Sequence, residues 1–204
     1  MIKNIIFDLG NVLISFKPSE YFDKNKYPES IKTKILADIF WSKEWLMLDS
    51  GEITTMEAIE SISKRSSLNK DEITHIFNLR TDIIFPLDSN IKLLPELKKR
   101  GFRLYYLSNF PLDIFDEVKE GYYFFRYFEG GLISAAVKSS KPKNRIYEIL
   151  LEQYLLKAEE CLYIDDIEIN VKTAESLGMK GIFTGGSPEI SKEIEKALKN
   201  SKGD

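Results

Sequence analysis

The sequence predicts an α/β fold in which a doubly wound parallel sheet carries a small helical insertion. Three short apolar runs, at residues 5–7, 104–107 and 161–164, each end in polar side chains, which is typical of strands buried on both faces. Segments with helical spacing of apolar residues alternate with these runs. Between the first two runs, residues 19–85 show helical patterns and no strong strand.

The insertion, residues 17–85, is predicted to be a helical domain of four helices. Residues 30–40 place their apolar side chains at helical spacing, and Asn69 is a candidate N-cap for a later helix. We therefore expect a core domain made of residues 1–16 and 86–204, interrupted by this helical insertion.

The core is predicted to continue as alternating strands and helices. The predicted strands after the insertion are residues 103–107, 130–134, 161–165 and 181–183. The predicted helices are 89–100, 111–119, 142–156, 170–177 and 188–199. Pro142 fits the first position of its helix, where a missing N–H costs nothing. The charged tail from Lys199 to Asp204 is predicted to fray.

Polar residues follow each of the three apolar runs. Asp8 follows the first run, Ser108 and Asn109 follow the second, and Asp165 and Asp166 follow the third. Any one of these residues could simply be a helix N-cap or a turn residue. Because the carboxyl ends of parallel strands share one edge of a sheet, their joint occurrence favours a functional site at that edge.

These motifs resemble those of haloacid dehalogenase-like hydrolases of the branch with a small helical cap. The resemblance implies that the insertion, residues 17–85, is this cap domain. That family has an Asp at one strand end, a Ser or Thr at another, a Lys and an acidic pair, and this chain shows them in order. The matching residues are Asp8, Ser108, Lys141 before Pro142, and Asp165-Asp166. The resemblance covers residues 3 to 185. The form Asp8-Leu9-Gly10-Asn11-Val12 also resembles the first motif of glucose-1-phosphate phosphatases in that family.

The resemblance implies a phosphatase that hydrolyses a small phosphorylated metabolite, with a sugar phosphate as one candidate. Asp8 would attack phosphorus and form an aspartyl-phosphate, which splits one difficult step into two. Ser108 and the backbone of Asn109 would bind the phosphoryl oxygens. Gly10 and Asn11, in the loop after Asp8, would also contact the substrate.

The resemblance also implies Mg²⁺, a cation that prefers oxygen ligands. Its expected ligands are Asp8, the carbonyl of Gly10 and Asp166, and Asp165 would bind a metal-bound water or Lys141. Lys141 would offset the negative charge on the nucleophile and on the phosphoryl group.

Gly10 departs from the family pattern, because it takes the place of a second Asp. In the family that Asp protonates the leaving oxygen and then activates water. Such general acid–base help is worth roughly 10²–10⁴-fold in rate. Gly10 cannot give it, so the help must be missing or must come from water or substrate. This predicts a preference for easily expelled groups, as in glycosyl or aryl phosphates.

Two other functions fit parts of the same pattern. A 2-haloacid dehalogenase also uses an Asp nucleophile, but it needs no metal, and the Asp165-Asp166 pair therefore argues against it. A non-catalytic binding module that kept the fold would explain Gly10. The nucleophile, the lysine and the acidic pair all remain, however, and they argue for an enzyme.

The cap contains aromatic and apolar residues that could either pack or face the substrate. They are Trp41, Trp45, Leu46 and Met47, with Phe16 and Lys17 at the junction with the core. Packing is the expected role, and a wall of the substrate site is the alternative.

Composition limits the partners. The chain has 204 residues, 29 basic and 32 acidic, with a net charge of −3, so it shows no electrostatic footprint for nucleic acid. No apolar run reaches the roughly 18 residues that span a bilayer, and Asp8 interrupts the run where a signal peptide would lie. Cys161 is the single cysteine. We therefore expect a cytoplasmic protein with a small-molecule substrate and no membrane or nucleic-acid partner. The oligomeric state is left open.

Overall fold

Strand β1 is the central strand of a five-stranded parallel sheet in the computed structural model of the protein, which describes residues 1–187 and 189–199. The strands are β1 (Asn4–Phe7), β2 (Ile14–Phe16), β3 (Ile84–Pro86), β4 (Arg103–Ser108), β5 (Gly130–Ile133), β6 (Cys161–Asp165) and β7 (Lys180–Phe183). The order in the large sheet is β5-β4-β1-β6-β7. Phe7 pairs with Tyr106 on β4 and with Ile164 on β6, so the three motif-bearing strands end side by side.

Some helices of the protein cover the two faces of this sheet, and the others form the insertion. The helices are α1 (Pro18–Lys24), α2 (Glu29–Ile35), α3 (Lys43–Asp49), α4 (Thr55–Ser63), α5 (Lys70–Asn78), α6 (Arg80–Ile83), α7 (Asp88–Ile91), α8 (Leu93–Lys99), α9 (Leu112–Gly121), α10 (Ser134–Val137), α11 (Asn144–Gln153), α12 (Glu168–Ser176) and α13 (Ser191–Lys199). None of the helices within residues 1–187 and 189–199 combines the length and the hydrophobicity of a transmembrane segment.

Alternate residues of the central strands face opposite apolar clusters. Ile5 and Phe7 belong to one cluster and Ile6 to the other, as expected for a strand whose side chains alternate between two buried faces. The predicted doubly wound parallel sheet is therefore confirmed.

The predicted bounds of the helix after Lys141 are wrong. Pro142 does not begin a helix, because α11 begins at Asn144. Helix α11 ends at Gln153, whereas the predicted end was residue 156. The Lys141–Pro142 peptide bond is cis. The backbone of Lys141 is held by the side chain of Asn109 and not by helical hydrogen bonds. The Asn109 side chain accepts from the Lys141 N–H at 2.9 Å and donates to the Lys141 carbonyl at 3.1 Å.

The predicted start of the last helix at 188 also differs, because α13 begins at Ser191. Position 188 and residues 200–204 lie outside the described residues, so the prediction of a frayed tail remains a prediction for 200–204.

The insertion is more divided than the four helices predicted. It contains α1 to α6 and a π-helical turn, Leu36–Phe40, directly after α2. An antiparallel pair, β2 with β3, joins it to the core. Each of these strands has only three residues, too few for a period-2 pattern to stand out in the sequence. The cap builds its own apolar cluster from residues between Phe22 and Ile83. The predicted boundaries of the two domains fall at the β2–β3 pair, and the division itself stays a prediction.

An ion pair joins the cap to helix α9 of the core. Arg80, a buried residue, places its guanidinium 2.8 Å from the carboxylate of Asp113. The hydroxyl of Thr55 donates to the same carboxylate at 2.7 Å and accepts from Arg80 at 3.2 Å. These three side chains therefore close a hydrogen-bonded ring between cap and core.

A turn of the cap, residues 49–51, makes a second contact with the core. The hydroxyl of Ser134 donates to the carbonyl of Asp49. Gly51 has a φ of +70°, and a Cβ on it would lie 2.5 Å from the carbonyl oxygen of Ala135. Only glycine therefore allows the turn to approach the core backbone this closely.

We expect Asp113→Ala to lower the free energy of unfolding by about 2 kcal/mol, because Arg80 would lose a charge-assisted hydrogen bond while remaining buried. Asp116→Ala is the matched control, since Asp116 is exposed on the same helix. Urea denaturation of both variants measures the difference. Equal stabilities of the two variants would show that the ion pair contributes nothing to holding the cap.

Candidate active site

Asp8 is buried at the carboxyl end of β1. Its backbone N–H donates to the carbonyl of Ile164 at 2.8 Å, which fixes it beside β6. One carboxylate oxygen accepts from the Leu9 N–H at 2.7 Å and lies 2.9 Å from the ammonium of Lys141. Burial raises the pKa of Asp8 to about 7, against the lowering effect of Lys141 and with a further contribution from neighbouring carboxylates.

Asp165 is held by four donors. Lys141, at 2.7 Å, and the Tyr163 hydroxyl donate to one carboxylate oxygen. The Ile167 N–H donates to the other at 2.8 Å, and the Asn170 amide lies 3.1 Å from both. With both oxygens engaged and the side chain fully buried, Asp165 is placed to orient Lys141.

Asp166 is less engaged than its neighbour. Asn11, which has a φ of +51° in the loop after β1, donates to it at 3.2 Å. No other side chain among the described residues donates to this carboxylate. Burial, followed by the charge of Asp165, raises the pKa of Asp166. Asp166 therefore keeps more of its oxygen surface available than Asp165 does.

The three carboxylates form a cluster that fits a cation. Oxygen atoms of Asp8, Asp165 and Asp166 all lie within 4.8 Å of one another. Lys141 supplies one positive charge against these three acids. Burial is the main reason that the pKa values of Asp8 and Asp166 are raised, and the charges of the neighbouring carboxylates add to the rise. A hard divalent cation with oxygen ligands would offset this negative charge. Gly10 lines the same cavity, and its carbonyl as a ligand remains a prediction.

The end of β4 brings two more predicted residues to the cavity. Ser108 is buried there, and its hydroxyl makes no hydrogen bond to another of the described residues. Asn109 also lines the cavity, and its side chain holds the backbone of Lys141 through the two bonds described above. The structure therefore places both predicted residues at this cavity, and the sequence did not anticipate the hydrogen bonds between Asn109 and the Lys141 backbone.

A cavity of about 280 Å³ opens above these residues. Apolar side chains from cap and core line much of it, namely Phe16, Trp45, Leu46, Ile84, Phe110 and Ile114. Of the cap residues considered as a substrate wall, Trp45 and Leu46 reach the cavity. Trp41 is instead 71% exposed and does not line it. Phe16 stacks on Trp45, with ring centroids 5.6 Å apart, whereas Lys17 pairs with Glu20.

Asp49, at the end of α3, is a cavity residue that the sequence did not reveal. Burial raises its pKa to about 7, although Lys141 lowers it, and the charge of Asp8 adds to the rise. No motif marks this position. The only local signal is the Gly51 turn two residues later, which reads as an ordinary helix end.

The family of the protein follows from its sequence match. Residues 2–178 match the model of the haloacid dehalogenase-like hydrolases. The chain therefore belongs to this family of hydrolases, and the resemblance inferred from its motifs is confirmed.

Three known proteins are similar over most of the chain. A sesquiterpene phosphatase from Aspergillus oryzae is 29% identical over 196 residues, which cover 96% of each chain. A drimenol cyclase from Aspergillus calidoustus is 26% identical over 200 residues, or 95% of this chain and 36% of that protein. A crystal structure of a family enzyme from Bacteroides thetaiotaomicron, in complex with magnesium and inorganic phosphate, is 26% identical. It has a TM-score of 0.74 over 95% of this chain and 100% of that one.

Proposed function

We propose that the protein is a Mg²⁺-dependent phosphatase that hydrolyses a small phosphorylated metabolite through an aspartyl-phosphate on Asp8. The observation that carries this proposal is the buried cluster of Asp8, Lys141 and the acidic pair beneath a cavity. The similar enzyme solved with magnesium and inorganic phosphate supports it, as does the relative named a phosphatase.

The reaction has two steps. A carboxylate oxygen of Asp8 bonds to phosphorus while the ester P–O bond breaks, and the leaving oxygen takes the electron pair and a proton. Water then attacks phosphorus, which releases inorganic phosphate and restores Asp8. Lys141, 2.9 Å from Asp8, is placed to offset the charge that develops on the phosphoryl oxygens. The hydroxyl of Ser108 is free to donate to one of those oxygens.

Asp8 and Asp166 would hold Mg²⁺, with the Gly10 carbonyl as a third protein ligand. When bound, the ion neutralises charge on the phosphoryl group and helps to orient it. Asp165 contributes indirectly, because its four donors commit it to fixing Lys141.

The alternatives account for less of this geometry. A dehalogenase needs no cation, so it leaves the close approach of three carboxylates unexplained. A binding module needs no buried lysine between two acids. Burying these three charged groups costs desolvation energy, and a catalytic role explains why they are present.

The cavity wall favours a substrate with a compact apolar group over a sugar phosphate. Each sugar hydroxyl that enters a site needs a hydrogen-bond partner, or its desolvation is not repaid. Beyond the motif residues, however, the lining is dominated by side chains such as Phe16, Trp45 and Ile84. The relative that is named a sesquiterpene phosphatase supports an apolar alcohol as the leaving group. A phosphate monoester of an apolar alcohol is therefore the proposed substrate class.

Asp8→Asn is expected to abolish phosphate release while the protein stays folded, because an amide cannot act as the nucleophile. Wild type should be active on p-nitrophenyl phosphate with Mg²⁺ and inactive with a chelator. Asp116→Asn, a change of the same kind on the surface, should keep wild-type activity. Phosphate release and circular dichroism are the measurements. Wild-type turnover in folded Asp8→Asn would rule out the assigned nucleophile.

The two acids of the pair should separate in their effects. Asp166→Ala is expected to weaken Mg²⁺ binding more than Asp165→Ala does. Asp165→Ala should instead cost about 3–5 kcal/mol of stability, because it leaves Lys141 buried without this partner. Calorimetric titration with Mg²⁺ and urea denaturation test the two effects. Equal Mg²⁺ affinities in the variants would contradict the ligand assignment.

An apolar ester such as 3-methylbutyl phosphate is expected to have a higher kcat/KM than glucose 1-phosphate. Leu46→Asn should lower that value about tenfold, since burying a leucine contact is worth roughly 1.5–3 kcal/mol. Leu155→Asn is the control, because Leu155 is 89% exposed and lies outside the cavity lining. A preference for the sugar phosphate in wild type would overturn the substrate class and leave the phosphatase assignment intact.

A further inference from the structure

The proposed reaction needs a proton donor that the core does not supply. The leaving oxygen must gain a proton, and the attacking water must lose one, but Gly10 has no side chain. Asp8 is the nucleophile, and Asp165 is saturated by protein donors. Asp166 is assigned to the cation. Any carboxylate that moves these protons must therefore come from another part of the cavity wall.

Asp49 is the one carboxylate of the cap, within the described part of the chain, that lines the cavity. It shares this lining with Asp8, Gly10 and Ser108. Its charge also interacts with those of Asp8 and Lys141, so it lies within electrostatic reach of the reacting groups. Asp49 is therefore placed on the side of the cavity that faces the nucleophile from the cap.

The backbone at Asp49 is anchored while its carboxylate is free. Ser134, a fully buried residue, donates to the Asp49 carbonyl and accepts from the Phe110 N–H at 2.9 Å. Gly51, two residues after Asp49, packs its backbone against the backbone of Ala135. In contrast, the Asp49 carboxylate has no hydrogen-bond or ion-pair partner among residues 1–187 and 189–199. A fixed backbone with an uncommitted acid suits a group whose partner is the substrate.

We propose that Asp49 supplies the proton transfers that Gly10 cannot, which makes it a catalytic residue of the cap. This assignment rests on the phosphatase function proposed above. The raised pKa of Asp49 agrees with it, because a group that titrates near neutral pH can both give and accept a proton.

The two steps then balance. In the first, Asp8 bonds to phosphorus, the ester P–O bond breaks, and the leaving oxygen takes its proton from the carboxylic acid of Asp49. In the second, the Asp49 carboxylate takes a proton from water while the water oxygen bonds to phosphorus. The bond from phosphorus to Asp8 breaks, inorganic phosphate leaves, and Asp49 is again an acid.

The leaving group distinguishes this role from a structural one. Asp49→Asn keeps the shape of the side chain and removes its proton transfer. We expect it to slow the phosphorylation step with 3-methylbutyl phosphate by about 10²–10⁴-fold, because an alkoxide leaves poorly without a proton. The loss with p-nitrophenyl phosphate should be far smaller, since nitrophenolate leaves unaided. Rapid-quench measurements of a single turnover give both rates.

The second step provides an independent readout. With p-nitrophenyl phosphate, Asp49→Asn should release about one equivalent of nitrophenolate per enzyme molecule in a burst and then turn over slowly, because the aspartyl-phosphate waits for water without a base. Glu52→Gln is the control. Glu52 is exposed in the same turn, bonds to Ser50 at 2.9 Å and does not line the cavity. It should show no burst and keep both rates within about twofold of wild type.

The possible outcomes separate the two proposals. Equal losses on both substrates without a burst, or no loss at all, would overturn the assignment of Asp49 while an active wild type leaves the phosphatase function standing. A wild type that releases no phosphate from either substrate with Mg²⁺ would overturn the function itself. Should Asp49→Asn fail to fold, Asp49→Ser is measured in the same way, with the same outcomes deciding.

Discussion

The site depends on one buried lysine between two acids. Lys141 lies 2.9 Å from Asp8 and 2.7 Å from Asp165, and all three side chains are almost fully buried. Burial alone would lower the pKa of Lys141, but the two acids outweigh it and raise that pKa. The lysine therefore remains charged, and it links β1 to β6 while the side chain of Asn109 holds its backbone. Removing any member would leave a charge in a poorly solvated place.

The sequence predicted best those parts of the fold in which a local residue pattern is enough to determine the structure. Strands buried on both faces must be apolar throughout, so β1, β4 and β6 stood out, and their polar ends followed. The segment at Pro142 failed for the opposite reason. Proline has a strong preference for the first turn of a helix, but here hydrogen bonds from Asn109, distant in sequence, decide the local conformation. Contacts between segments distant in sequence can outweigh the local preference of a residue, and local preferences do not reveal such contacts.

The same distinction explains the candidate site. Asp8, Ser108 and the acidic pair were predictable because strand ends in a parallel sheet converge by topology alone. The position of Asp49 depends instead on how the cap turn docks, through Ser134 and the close approach of Gly51 to Ala135. These are contacts between segments more than 80 positions apart in the chain, and single-residue patterns carry no information about them.

The separate apolar cluster of the cap has an evolutionary consequence. Because residues between Phe22 and Ile83 bury one another, the cap can accumulate substitutions without disturbing the sheet that carries Asp8. Where one domain binds the substrate and the other holds all the catalytic residues, such freedom would let selection change substrate specificity without affecting catalysis. Here Asp49 and Leu46 lie on the same short helix. A mutation in this helix that changes which substrate binds could therefore also impair proton transfer by Asp49. Selection would remove such mutations, so fewer substitutions could give the enzyme a new substrate specificity.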